Sequence, residues 1–209
     1  MASRAVARPS ARERLLAAAN ELFYDEGIQT VGIDRIIEHA GVAKASLYNT
    51  FGSKDELIRA YLESRHAGTA DRITRALDRY DTPRERLLGV FQAQGELFAT
   101  PGFHGCAFVS ASAEARPGST VEQAADDHRA WVRTLLTDLA EQTGATDPEA
   151  LARQLHLLYD GAGLSARMDR DPSAALTARE AAMALVDDAI PARPATHRRR
   201  RSAAATARI

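Results

Sequence analysis

"GVAKASLYNTFGSKDEL", residues 41–57, decides how the chain is read. It holds a helix from Lys44 to Thr50, set between a glycine turn and Gly52-Ser53. A helix of about two turns is not stable by itself in water. Its neighbours must hold it, and Leu47 and Phe51 are the residues spaced to be held. That leaves Lys44, Ala45, Ser46, Tyr48, Asn49 and Thr50 facing outward.

Upstream, Ile33, Ile36, Ile37 and Ala40 mark a second short helix, about residues 33–40. Gly41 lets the chain reverse with a backbone angle other residues avoid. Val42 can bury in that turn. A longer first helix, about residues 10–26, precedes both. Ser10 and Glu13 have capping-box spacing, Leu15, Leu16, Ala19, Leu22 and Phe23 form one apolar stripe, and Gly27 ends the helix. Two short helices joined by a glycine turn and propped by a third are the helix-turn-helix plan. The outward set suits a major groove. Small residues allow close approach, while Ser, Asn and Thr can bond base edges. Lysines and the tyrosine hydroxyl suit phosphates. Ser53 and Lys54 open the next helix, whose free N–H groups also favour a phosphate. The bland alternative is a short solvated helix between core helices.

The stretch "TVGIDRIIEHAGVAKASLYNTFGSKDELIRAYL" resembles the DNA-binding domain of TetR-family transcriptional regulators. Gly41-Val42, Leu47-Tyr48-Asn49-Thr50-Phe51 and Ser53-Lys54-Asp55-Glu56-Leu57 carry the resemblance, which covers about residues 10–65. It implies that Lys44, Ala45 and Ser46 meet bases and backbone. It puts Tyr48 and Lys54 on phosphates and makes Asn49 and Thr50 choose sequence. The family often caps its second helix with Thr or Ser. Here Gly32 stands at that position, so Thr30 just upstream is the substitute anchor. The resemblance further implies a homodimer that sets two reading helices into successive major grooves of a palindromic double-stranded operator. Arg4 and Arg8 in the amino-terminal arm are a further candidate contact.

The rest of the chain extends the helical reading. Alternating β-branched runs and hairpin dipeptides are nearly absent, so the fold class is all-α, with roughly nine helices. The expected helices after residue 53 are about 54–80, 83–99, 105 to the Arg116-Pro117 break, 120–143, 148–168 and 172–190. A second capping box is expected at Ser53 and Glu56. The domains are expected as a flexible basic arm (1–9), the helix-turn-helix unit (10–53), a connecting helix (54–82), a ligand-binding and dimerisation domain (83–190) and an Arg-rich disordered tail (191–209).

Of the 209 residues, 45% are hydrophobic and 26% charged, enough for a real core. No apolar run is long enough for a membrane span. Cys106 is the single cysteine, so no internal disulfide forms and a cytoplasmic setting is expected. The net charge of −1 hides an uneven distribution, because Arg193, Arg198–Arg201 and Arg208 lie in a tail with no acid. A near-neutral average therefore does not argue against a nucleic-acid partner.

In the carboxy-terminal half, polar residues interrupt apolar helical stripes. Gln94 lies among Leu87, Phe91 and Phe98, with Gly95 beside it to leave space. His128 lies one turn from Trp131, and Tyr159 follows Leu155 and Leu158. An apolar cavity with a few polar groups is how small-molecule sites are built. Gln94, His128, Trp131 and Tyr159 are thus candidate effector contacts, walled by Phe91, Phe98, Phe103 and Phe108. For each, the alternative is an ordinary core residue. Cys106, if in the first turn of a helix starting near Gly105, would have a lowered thiol pKa and sense electrophiles. The alternative is a small buried apolar residue. His104, Cys106, Asp126 and His128 have no metal-ligand spacing, and no cofactor or metal is expected. Small residues from Gly161 to Ala166, with Leu176, Met183, Val186 and Ile190, suggest a dimer interface on the last two helices.

The function expected is a ligand-responsive transcriptional regulator, a repressor released from its operator by a small molecule. The rivals are an activator or a nucleoid-associated DNA-binding protein without sensing. No nucleophile–base pair supports an enzyme.

Overall fold

A computed structural model describes residues 9–191. The candidate contacts Arg4 and Arg8 and the Arg-rich tail from residue 192 onward lie outside the described residues. Within them the chain forms nine helices and no strand. They are α1 (Ala11–Glu26), α2 (Ile33–Ala40), α3 (Lys44–Phe51), α4 (Lys54–Leu77), α5 (Pro83–Phe98), α6 (Ala107–Glu114), α7 (Thr120–Thr143), α8 (Pro148–Asp169) and α9 (Ala174–Ala189).

Local chemistry sets the helix ends. Ser10 and Glu13 make the expected capping box on α1, each side chain bonding the other's backbone N–H. Ser53 caps α4 by accepting from the Glu56 N–H at 3.1 Å. The return half of that box is missing, because the Glu56 carboxylate pairs with Arg59 at 2.8 Å instead. Thr82 and Glu85 form a full box at α5, with Pro83 in its first turn. That arrangement explains why α4 stops at Leu77, short of the expected Tyr80: the chain must turn before a capped, proline-led helix. Gly105 has φ +102°, outside helical geometry, so α6 starts at Ala107 rather than near Gly105.

The core divides into two buried clusters. One joins α5, α7, α8 and α9 with the end of α4, around Phe91, Leu136, Leu155 and Val186. The other gathers α1–α3 and the start of α4 around Leu15, Phe23, Leu47 and Tyr61. It also takes in Ala107, Phe108 and Ala111 of α6 and Val121 and Ala125 of α7. The packing thus crosses the boundary expected near residue 83. The short α6 is bound into the hydrophobic core of the helix-turn-helix unit.

The polar ends of α6 repeat that link. Tyr24 of α1 donates its hydroxyl to the Gly105 carbonyl at 2.9 Å and accepts from the His104 N–H at 3.0 Å. Glu114, the last residue of α6, accepts from the Gln29 N–H at 2.8 Å. Gly27 is needed there, since its φ is +91° and an added Cβ would lie 2.9 Å from the Glu114 carboxylate.

Candidate functional site

The reading helix α3 is held as its sequence demands. Leu47 is fully buried, a contribution of about 2 kcal/mol, and Phe51 packs half-buried against the same cluster. Gly41 takes the left-handed conformation at φ +60° that the turn requires. Arg14 of α1 donates to the carbonyls of Ala40 and Gly41 at 3.2 and 2.8 Å, fixing the turn to the first helix.

Ala45, Tyr48, Asn49 and Thr50 are exposed, Ser46 half-buried. The Thr50 hydroxyl donates back to the Ser46 carbonyl at 2.6 Å, which leaves its methyl and lone pairs free. Lys44 is ion-paired with Asp34 of α2 at 2.9 Å, an arrangement that raises its pKa. Lys54 is half-buried, and desolvation lowers its pKa against the opposing pull of Asp55 and Glu114. Gly32 caps α2 without a side-chain bond, and Thr30 is exposed two residues upstream. Arg12, not among the expected contacts, places its guanidinium 5.6 Å from the Phe51 ring centroid beside α3.

A cavity of about 280 Å³ lies between the two clusters, with walls from α1, α4, α5, α6, α7 and α8. Gln94, Phe98, Phe103, Cys106, Phe108, His128 and Tyr159 line it. Phe91 and Trp131 do not. Phe91 is fully buried in the carboxy-terminal core. Trp131 lies one turn beyond His128 and faces an adjoining cleft with His66 and Arg59, on the other side of Phe108 and His128. Gly95 leaves no room beside Gln94, because an added Cβ would sit 3.1 Å from the Ala175 Cβ of α9. That glycine lets α5 and α9 approach.

Two further helices supply lining residues that the stripes do not mark. Asn20 and Tyr24 come from α1 of the helix-turn-helix unit, and Arg65, Thr69 and Arg72 come from α4. The spacing of the α4 residues, i, i+4 and i+7, is legible as one helix face. Tyr24 sits one residue off the apolar stripe, and nothing local marks what it faces.

Gln94 is 6% exposed and donates from Nε2 to the Tyr159 carbonyl at 2.7 Å. Its Oε1 is buried with no partner. Tyr159's hydroxyl is held un-ionised, its pKa pushed up by burial. His128 stacks on Phe108 at 3.7 Å and places Nδ1 3.1 Å from Nδ1 of His66. Burial, then His66, lowers its pKa to about 4, so it is neutral at physiological pH.

Cys106 is the N-cap of α6, not part of its first turn. Its pKa is raised, not lowered, because burial outweighs the N–H groups of Val109 and Phe108. The expected activated thiolate is absent in this state, and the thiol is an apolar wall of the cavity. No group of three or more His, Cys, Asp or Glu side chains gathers in a metal-holding arrangement among the described residues. Nor is any described helix long and apolar enough to cross a membrane.

Comparison with known proteins agrees with this layout. The family model for bacterial regulatory proteins of the tetR family matches residues 15–61, the span from α1 into α4. The transcriptional repressor NemR of Escherichia coli K12 is 31% identical over 169 residues, covering 76% of this chain and 85% of NemR. A crystal structure of a TetR-family transcriptional regulator from Streptomyces coelicolor superposes with a TM-score of 0.82 at 36% identity, over 87% of this chain and 96% of that one. The reduced form of E. coli NemR superposes with a TM-score of 0.73 at 30% identity, over 88% and 99%. With the family model matching the helix-turn-helix span and the whole helical body superposing, the chain belongs to the TetR family of DNA-binding transcriptional regulators, which are not enzymes.

Proposed function

We propose that the chain is a dimeric repressor that leaves its operator when a small molecule fills the cavity beneath the helix-turn-helix unit. The observation that carries this reading is the shared wall. Asn20 and Tyr24 belong to the DNA-reading unit and line the cavity together with residues of α4–α8. A ligand there touches the reading unit directly, without relying on α4 alone. It also bears on α6, which is tied to that unit through Tyr24 at one end and Glu114 at the other. A ligand that prefers an α6 position in which the reading unit fits the operator poorly lowers operator affinity, and operator then lowers ligand affinity by the same factor.

On the DNA face, Ala45, Ser46, Asn49 and Thr50 read base edges, and Thr30, Tyr48 and Lys54 hold the backbone. Lys44 exchanges Asp34 for a phosphate, and Arg12 adds a further contact. The partner is double-stranded DNA of the cytoplasm, and each phosphate neutralised steepens the salt dependence of binding by about 0.9 in log–log slope.

The dimer forms through α8 and α9. Support comes from large apolar side chains left in water on those helices. Leu157 is 73% exposed, Met168 72% and Leu176 56%, and Leu164 and Met183 lie on the same two helices. Single exposed apolar residues are ordinary, but a row of five is not. A groove floored by Gly161, Ser165, Thr177 and Ala181 runs between the two helices. Ala166 packs inside the subunit, and Ala162, also buried, lies at the bottom of that groove. The relative NemR is named a repressor, which favours repression over activation or broad chromosome coating.

The test is selection of operator fragments from random DNA, followed by fluorescence anisotropy at rising salt. A palindromic site whose affinity falls steeply with salt is expected. Uniform binding to unrelated fragments would favour the coating alternative.

A further inference from the structure

The cavity has two unlike walls. One is apolar, built from Leu97, Phe98, Phe103 and Phe108. The other is the face of α4 that presents Arg65, Thr69 and Arg72, and Arg167 of α8 adds a third guanidinium. None of these three arginines has a carboxylate partner among the described residues. Arg65 lies 4.0 Å from the Tyr24 ring centroid and donates from Nη2 to the Asn20 carbonyl, yet its Nε is buried without a partner. Arg167 makes one long bond, 3.2 Å to the Ser110 hydroxyl. The one carboxylate in the lining, Asp160, is already held by Arg129 at 2.8 Å, a residue outside the cavity. Gln94 adds a buried acceptor, Oε1, with nothing to accept from.

We infer that the effector is a small organic anion. It has a carboxylate head for the α4 arginines, an aromatic-sized apolar body and a hydrogen-bond donor for Gln94. The inference rests on the cavity being the effector site. The reasoning is electrostatic. A neutral ligand filling this space strips water from guanidiniums and gives them no partner, which is costly. A cation is repelled. A carboxylate accepts from a guanidinium in the planar paired geometry that makes such contacts strong. The volume lies at the small end of ligand cavities, which suits a single ring with short substituents rather than a long chain.

The experiment uses the full chain, with 4-hydroxybenzoate, its methyl ester and 4-hydroxybenzylamine as matched probes. Thermal unfolding and calorimetric titration read binding, and anisotropy on the selected operator reads release. The acid should raise Tm and bind about 10- to 100-fold more tightly than the ester or the amine. Arg72→Gln should remove that preference by weakening the acid, while the ester, relieved of a guanidinium to desolvate, binds at least as tightly as before. Arg167→Gln, at a more exposed position, provides a second variant should Arg72→Gln fail to fold. The inference is overturned if the ester or amine binds as tightly as the acid. It is also overturned if neither variant erodes the preference, or if no acid shifts Tm at millimolar concentration. An acid that binds through Arg72 but leaves the operator occupied keeps the ligand class and removes the effector reading. An ester that releases the operator while the acid does not has the reverse meaning.

Discussion

The Glu114 carboxylate, at the end of α6, accepts the backbone N–H of Gln29 at 2.8 Å, in the loop that leads into α2. The contact joins the far end of a cavity-wall helix to the element that positions the reading helix. Removing it with Glu114→Ala should cost about 1 kcal/mol of stability, because an N–H loses a charged acceptor at a site water can reach. Operator affinity without ligand should change little. The ratio of operator affinities with and without effector should fall several-fold, as anisotropy titrations would show. An unchanged ratio means that α6 does not carry the signal through this end.

Tyr24 makes the equivalent contact at the other end of α6. Tyr24→Phe keeps the ring beneath Arg65 and removes only the hydroxyl. The Gly105 carbonyl and the His104 N–H then lose their partner. A loss of about 1–2 kcal/mol in urea unfolding is expected. A larger loss would mean that the ring itself had moved.

These links were beyond the sequence for a physical reason. Helix boundaries, the glycine turn and the anchoring of Leu47 and Phe51 depend on neighbours within a few residues, and periodicity reveals them. The contacts of Tyr24 and Glu114 span about eighty residues of chain, and no local pattern announces a partner so far away. The cavity was half legible for the same reason. Polar interruptions on apolar stripes pointed to Gln94, His128 and Tyr159. The stripe rule does not separate a residue facing the cavity from one a turn away in the core, so it points to Phe91 and Trp131 as well. Cys106 turned on the start of α6, two residues later than expected, and on burial, which outweighs the N–H groups that the N-cap thiol meets.

His128 gives a pH prediction with a definite sign. Its folded pKa is lowered to about 4 from 6.5, chiefly by burial. Below pH 6.5 the unfolded chain binds a proton that the folded chain refuses, so stability falls as pH drops from 6.5 toward 4. The full effect is on the order of 3 kcal/mol. His156 is also lowered, by burial, and adds to the slope in the same direction. His66, which faces His128 from α4, is the group most directly coupled to it. Urea unfolding at pH 7, 6 and 5 should show a flatter profile for His128→Asn than for the parent chain. Parallel profiles would mean that His128 takes up its proton as readily in the folded protein as in the unfolded chain.

Tyr48 and Leu47 are adjacent on α3 and should separate binding from folding. Leu47 is fully buried, so Leu47→Ala should cost about 2–5 kcal/mol by leaving a cavity beneath the reading helix. Tyr48 is 44% exposed, and Tyr48→Phe should leave Tm unchanged. It should weaken operator binding by a similar factor on matched and mismatched sites, since a phosphate contact carries no sequence information. Asn49→Ala should instead reduce discrimination between sites. If Tyr48→Phe changed site preference, the assignment of backbone and base contacts on α3 would be reversed.

The dimer reading stands or falls on α8 and α9. Leu157→Glu places a charge where the subunit exposes a large apolar side chain. In an isolated subunit that change should alter stability by less than about 0.5 kcal/mol, because nothing within the subunit depends on it. Across a two-fold interface the same patch meets itself, so each dimer gains two desolvated carboxylates. Sedimentation should then show monomers at concentrations where the parent chain is dimeric. Operator affinity should fall steeply, because one reading helix grips only half a palindrome. Met168→Glu, three turns further along α8, should do the same. If both variants remain dimeric and bind the operator normally, the subunits meet through another face, and the exposed row on α8 and α9 needs a different partner.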